Sequence, residues 1–342
     1  MVKRNQIDSE RVTLADVAEA VNVSMMTVSR VVNNKPGVGD KTRKKILSLV
    51  EEMGYIPNSL ARGLVTQETK TIGLIVPDNT NPFFAQIARG VEDEAYEQDY
   101  SVFLMNTVED STREENALDT LLENNIDGLI SCSSRLSSRK LETYLKKFSS
   151  VVILNRECKS DLKNVTQINV DDELGAQIAV NYLIDQGRRE IAHISGPANS
   201  ISAKRRLKGF QEALKNKGYH QNLDANIIFD VKPTYEGGRG AMLELLESGH
   251  QIDAVYAFND LVAVGALQVC KENSLNVPED IAIIGVDGAF IGSVVNPQLT
   301  TLKIELTEVG RLIMQTLLRN MKKQNVTSSI MLRPELIIRE SV

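Results

Sequence analysis

Residues 13–33, TLADVAEAVNVSMMTVSRVVN, read as two short amphipathic stretches joined by a tight polar break. Leu14, Val17, Ala18 and Val21 recur at helical spacing on the first stretch, and Val28, Val31 and Val32 on the second, so the two can bury one shared face. Ser24 stands where an N-cap would start the second helix. With its valines turned inward, that helix presents Met25, Met26, Ser29 and Arg30 outward, and Thr27 and Asn33 complete the predicted DNA-facing set. This is the arrangement of a helix-turn-helix, whose second helix enters a DNA major groove. Arg30 would grip guanine and the methionines would touch thymine methyls. The same valine spacing serves any small three-helix module, so the flanking sequence has to decide between the two.

Asp40 is the predicted cap of a third helix, which runs through Ile46, Leu47, Leu49, Val50 and Met53 and stops at Gly54. Lys41, Arg43, Lys44 and Lys45 crowd its first turns, where cations oppose the helix dipole. An external anion such as a phosphate backbone accounts for them; a solvated charged face is the alternative. Up to residue 65 the chain carries ten Lys and Arg against seven Asp and Glu, a net of +3, which leaves −9 for the remainder of a chain whose total is −6. A basic reader joined to an acidic body fits that asymmetry, with DNA affinity that falls as salt rises. Residues 1–12 read as a flexible arm in which Lys3 and Arg4 lie near phosphates.

The next segment, YIPNSLARGLV at 55–65, is broken by Pro57, capped by Asn58 and lined on one side by Leu60, Ala61 and Leu64. A helix of about two turns, weakened by Gly63, does not hold in water alone, so it needs a partner to fold. With TVSRVVNN at 27–34, GYIPNSLARGL at 54–64 and IGLIVPDNTNPFF at 72–84, the chain resembles the lactose-repressor (LacI/GalR) family of bacterial transcription regulators, in order and spacing from about Thr13 to near Ile338. The resemblance implies a hinge helix that pairs with its dimer mate in the minor groove, with Leu64 as the leucine wedged into a central base step and Ala61 beside it. Unstacking that step costs a few kcal/mol, offset by bent DNA meeting more protein. A linker residue packed on the body is the other reading of Leu64. Residues 13–56 are therefore expected to form the helix-turn-helix domain and 57–69 the hinge.

From Thr71 the texture changes. TIGLIVP, SVFLMN, DGLIS, SVVILN, IAHIS, ANIIF, DAVYAF and IAIIGVDG alternate with helical stretches, which implies parallel sheets covered on both faces, and roughly 270 residues of this exceed one sheet. The resemblance implies an all-α helix-turn-helix domain plus an α/β periplasmic-binding-protein-like core over 70–342, built as two Rossmann-like lobes. The first lobe is expected at about 70–168 and 303–330, the second at about 169–298 and 331–342, with a last helix near 305–322 returning to the first.

Ligands of open α/β sheets sit beyond the carboxyl ends of the strands. Asn81 with Phe83 and Phe84 follows the first strand and offers an amide and apolar ring faces, a combination suited to sugars. Asn155 and Arg156 follow VVIL, Arg206 lies in SAKRRLKGF, Asn259 follows DAVYAF and Asp287 follows IAIIGV. The fork of Arg206 suits vicinal hydroxyls or a carboxylate. Taken singly, each is explained by turn chemistry or by the core; together they read as a pocket. The resemblance matches this set at Asn81, Phe83, Phe84, Arg156, Arg206, Asn259 and Asp287. Two departures count against ribose itself: Asn155 stands where many sugar-binding relatives carry aspartate, and Pro233, with Tyr235 two positions on, stands where an aromatic lid is common.

Cys132, Cys158 and Cys270 are scattered without metal or disulfide spacing, which suits a reducing cytosol, and His193, His220 and His250 form no ligand cluster. His193 within IAHIS reads as a core histidine. GGRG at 237–240 has the wrong spacing for a phosphate loop. No run is long enough to span a membrane and no signal peptide opens the chain, so a cytoplasmic location is expected. The reading is a dimeric repressor of carbohydrate-use genes without a cofactor or metal. Its partners are double-stranded operator DNA and a small effector, a sugar or sugar phosphate. Two half-sites along DNA demand a two-fold protein. The strand-like PELIIRESV at 334–342 is followed by no leucine-heptad tail of the sort that makes some relatives tetramers. The alternatives are a global catabolite regulator with a phosphorylated carrier protein as corepressor, and a sugar-binding or sugar-modifying enzyme, for which no nucleophile or base can be placed.

Overall fold

The computed structural model of the chain describes residues 12–55, 68–158, 162–218, 226–324 and 328–342. Residues 1–11 of the arm, the expected hinge helix with Ala61 and Leu64, and His220 lie outside them. The chain divides after Thr69 into two compact units.

In the first unit, α1 (Leu14–Val21), α2 (Met25–Val32) and α3 (Asp40–Glu52) bury Val17, Ala18, Val21, Val28, Val31 and Ile46 together. Thr13 and Asp16 form a capping box on α1, and the Ser24 hydroxyl accepts the Thr27 N–H at 3.2 Å to start α2. Three details differ from the sequence reading. Gly39 rather than Asp40 is the N-cap of α3; Asp40 is the first helical residue, where its carboxylate complements the helix dipole instead of bonding a backbone N–H. Leu47 is exposed, because Ile46 takes the centre of the buried face and the next residue on a helix points about a third of a turn away. Arg43 does not wait for a phosphate: it donates to the Asn34 side chain at 3.1 Å and to the Lys35 carbonyl at 2.6 Å, so it pins the loop between α2 and α3.

The second unit holds two six-stranded sheets. The first contains β1 (Thr71–Val76), β2 (Ser101–Asn106), β3 (Gly128–Cys132), β4 (Val151–Leu154) and β5 (Val165–Val170); the second contains β6 (Ile191–Ile194), β7 (Ile227–Ile228), β8 (Ala254–Ala257), β9 (Ala282–Asp287) and β10 (Thr300–Lys303). The next strand, β11 (Ser329–Leu332), returns to the first sheet beside β5, and β12 (Glu335–Ile337) closes the second beside β10. All pairings are parallel except β10 with β12. The chain therefore crosses between lobes three times: after β5, after β10 and after β11. β5 extends two residues beyond the expected crossing because Asn169 and Val170 pair with Met331 and Leu332.

Nine helices cover the sheets among the described residues: α4 (Pro82–Glu97), α5 (Ser111–Glu123), α6 (Ser138–Leu145), α7 (Asp172–Asp185), α8 (Ile201–Asn216), α9 (Tyr235–Glu247), α10 (Asp260–Glu272), the single turn α11 (Ile291–Val294) and α12 (Leu306–Met321). After the second crossing, α12 packs back on the first lobe, where Ile313, Met314 and Leu317 join Ile87 and Val91 of α4. The two backbones nearly touch: a Cβ on Gly90 would stand 2.0 Å from the Thr307 carbonyl, and one on Gly310 2.2 Å from that of Ile87.

His193 of β6 is wholly buried, its ring stacked at 5.1 Å on Phe210 and 5.0 Å on Tyr256. Its Nδ1 lies 2.9 Å from the Tyr256 carbonyl, an acceptor, which places the proton on Nδ1. Burial, opposed by that hydrogen bond and reinforced by the Arg206 charge, drops the imidazole to about 4. The unfolded chain, near 6.5, then binds more protons between those values, so this share of stability is complete above pH 6.5 and is lost as pH falls toward 4. It amounts to about 3 kcal/mol. Urea unfolding from pH 7 to 4 is expected to show a slope in the wild type that His193→Phe lacks in that amount.

Candidate functional site

A cavity lies between the lobes, at the carboxyl ends of the strands. Asn81, Phe83 and Phe84 reach it from beyond β1, Glu109 from beyond β2, Ser133 and Arg135 from beyond β3, and Asn155 from beyond β4. The second lobe supplies Ser200, Ser202 and Arg206 after β6, Pro233 after β7, Phe258 and Asn259 after β8, and Asp287 at the end of β9. The side chains leave about 40 Å³ of open space, room for about two or three waters. A sugar-sized guest therefore enters only as lobes or side chains give way.

Local chemistry sets the amides. Asn81 caps α4, its Oδ1 accepting the Phe83 N–H at 3.0 Å with Pro82 next in the helix. Asn259 caps α10 by accepting the Val262 N–H at 2.9 Å and donates to the Pro233 carbonyl at 3.3 Å. Asn155, in a left-handed backbone at φ 51°, accepts the Val170 N–H at 3.1 Å. Turn chemistry and cavity lining are thus combined in the same residues. Phe83 and Phe84 likewise do both jobs: they meet edge to face at 5.0 Å, belong to the first lobe's core and line the cavity.

Charge is concentrated and paired. Arg206, 4% exposed, donates from Nε to Asp172 at 2.8 Å and from Nη1 to the Phe258 carbonyl; its guanidinium lies 4.7 Å over the Phe258 ring and 4.0 Å from the Asp287 carboxylate. Burial opposes the Arg206 charge, but the Asp172 and Asp287 carboxylates outweigh it and hold the guanidinium charged. Burial raises Asp287 well above the carboxylate range, resisted by Arg206. Asp260, behind it, is raised by burial too, while the Thr301 hydroxyl at 2.6 Å and the Ala289 N–H at 2.7 Å pull it back. Across the cavity, Arg135 grips Glu109 through Nε and, at 3.2 Å, through Nη2.

Of the eight residues expected to meet an effector, seven line the cavity and Arg156 does not. Its Nη2 donates to the Leu136 carbonyl at 2.6 Å, and its charge is felt by the buried Glu114. The chain leaves β4 through the left-handed Asn155, and the Arg156 side chain turns to Leu136, away from the cavity. Glu109, Ser133, Arg135, Ser200, Ser202 and Phe258 line the cavity too, outside the set expected from the sequence. The signal was available: Glu109 and Arg135 each stand three residues beyond a strand, as Asn81 and Phe83 stand just beyond β1.

In the first unit, Met25 and Met26 are 56% and 67% exposed at the start of α2, with no place in the core. Arg30 is exposed in the last turn, its guanidinium beside Gly37. Ser29 is half-buried, while Thr27 pairs with the Ser24 hydroxyl at 2.9 Å and Asn33 folds back on the Ser29 carbonyl at 2.8 Å. Among the described residues no helix is long and apolar enough to cross a membrane, and no cluster of His, Cys, Asp and Glu has the form of a metal site.

Residues 13–58 match the family described as bacterial regulatory proteins, lacI family, and residues 69–339 match periplasmic binding proteins and sugar binding domain of LacI family. Catabolite control protein A of Priestia megaterium is 36% identical, over 95% of this chain and 97% of that protein. Among solved structures, a lac repressor dimer bound to operator and the anti-inducer ONPF superposes with a TM-score of 0.85 at 27% identity, over 97% of this chain and 99% of that one. A complex of the transcriptional regulator CelR with cellobiose gives 0.73 at 29%, over 97% and 100%.

Removing the Arg206 charge leaves the buried Asp172 and Asp287 carboxyl groups without the cation that stands between them. Arg206→Ala is expected to cost about 3 to 5 kcal/mol at neutral pH. Urea denaturation of wild type and variant at pH 7 is expected to show this gap.

Proposed function

Because the chain belongs to the lacI family of bacterial regulatory proteins, and is a DNA-binding transcription regulator rather than an enzyme, we propose that it is a dimeric repressor of carbohydrate-use genes whose operator affinity is set by a small sugar-like effector. The observation that carries this is the cavity: three phenylalanine faces stand among amides, hydroxyls and paired charges, the mixture a ring with C–H faces and hydroxyl edges requires. Residues 13–56 read DNA, 57–69 join reader to sensor, and 70–342 hold the effector and the dimer contacts, all in the cytoplasm with the DNA.

Met25, Met26 and Arg30 meet base edges, with Thr27, Ser29 and Asn33 alongside, and Ala61 and Leu64 act in the hinge. Effector binding changes DNA affinity only insofar as the operator-bound and free forms differ in effector affinity, and the coupling is reciprocal. In a thermal-shift screen, pentoses or hexoses are expected to raise the melting temperature, and the stabilising compound to alter retention of promoter fragments. Arg30→Ala is expected to relax specificity at one base pair per half-site, costing about 1 to 3 kcal/mol on the preferred sequence. Equal weakening on all sequences would make Arg30 a phosphate contact.

The 36% identity to a catabolite control protein supports a second reading, a catabolite regulator with a phosphorylated carrier protein as corepressor. Phosphorylation-dependent capture of that carrier, with no response to free sugars, would establish it over the first.

A further inference from the structure

Glu109 and Arg135 occupy the first-lobe side of the cavity, on the loops after β2 and β3. The Glu109 loop is tied down: its own N–H donates to the Pro77 carbonyl at 3.1 Å, the Thr107 N–H to that of Val76 at 3.0 Å, and Asp110 caps α5 through the Thr112 and Arg113 N–H groups. Val108 and Glu109 are both left-handed, at φ 52° and 59°, a conformation a β-branched valine rarely takes and holds only under such constraint. The turn sets Glu109 against Arg135, whose Nε and Nη2 both reach its carboxylate while Nη1 donates to the Ser133 carbonyl at 2.9 Å. The Arg135 side chain is only 6% exposed, against 27% for Glu109.

On the opposite wall Arg206 is held by Asp172 and Asp287. Both cations that line the cavity thus already face a carboxylate. A ligand phosphate would have to evict Glu109 from a nearly buried arginine or lie against its carboxylate, a like-charge contact that is costly in a desolvated site. A hydroxyl edge meets no such barrier. An ionised carboxylate has about four acceptor positions, of which Arg135 takes two, so Glu109 keeps acceptors for donated hydroxyl hydrogens. Resting on the sugar reading above, we infer that Glu109 determines specificity: by occupying the Arg135 guanidinium it restricts the cavity to uncharged polyhydroxyl ligands and rejects their phosphates.

Isothermal titration of the full chain with ribose, xylose, glucose, fructose and galactose, each beside its phosphate monoester, reads the ratio of the two affinities. The wild type is expected to favour the neutral member by at least about tenfold, and Glu109→Gln, which keeps the shape and removes the charge, to lose at least about tenfold of that preference. Glu109→Asp, still charged, keeps it. If Glu109→Gln does not fold, Glu109→Ser is read in its place. A wild type that binds the phosphate more tightly, or an unchanged ratio in the folded variant, overturns the inference and leaves the sugar reading standing. No binding of any neutral sugar or phosphate overturns the sugar reading and the inference with it.

Discussion

A guanidinium buried between two lobes has to be neutralised where it lies, and the arrangement around Arg206 follows from that constraint. Its partners come from separate parts of the second lobe: Asp172 from the first turn of α7, the Phe258 carbonyl from the end of β8 and Asp287 from the end of β9. One side chain on α8 thereby fastens three segments that are far apart in the chain. The pairing does not stabilise the fold beyond what an apolar core would, because desolvating the charges costs about as much as their attraction returns. What it contributes is position. With every nearby element committed to the arginine, the loops beyond the strands converge on one cavity.

The opposite wall obeys the same rule with a shallower pair. Arg135 and Glu109 balance each other at the end of two loops of the first lobe, so each lobe brings its own compensated charge to the gap. Lobes that carry unpaired charge would be driven together or apart by it. Lobes that are separately neutralised respond instead to whatever enters between them, which suits a sensor whose output is a small difference between two conformations.

The reader obeys a different economy. Its core is six buried side chains, and α2 keeps Met25, Met26 and Arg30 outside it. Arg43 shows how such a small unit spends a cation on itself: a residue that the charge pattern alone assigns to phosphate instead ties down the loop that follows α2. Lys41, Lys44 and Lys45 remain exposed on the same helix.

Much was legible in the sequence because it depends on local rules. Valine spacing marked the two helices of the reader, alternation of apolar strands with helices marked the layered core, and asparagines just past strands marked the cavity wall, since an Asn that caps a helix there also faces the gap. The glycines at 90 and 310 and the pairing of Glu109 with Arg135 were not legible, because each depends on a neighbour distant in the chain: α4 with α12, and the β2 loop with the β3 loop. Arg156 illustrates the limit from the other side. Its position beside Asn155 just past a strand puts it among the expected cavity residues, but beyond the left-handed Asn155 its side chain goes to the Leu136 carbonyl instead of the cavity. Sequence by itself determined the helices, the strands and the family of the fold, whose signals lie within a few residues of each other; only tertiary structure decided which charges meet, because an ion pair is set by distances through space.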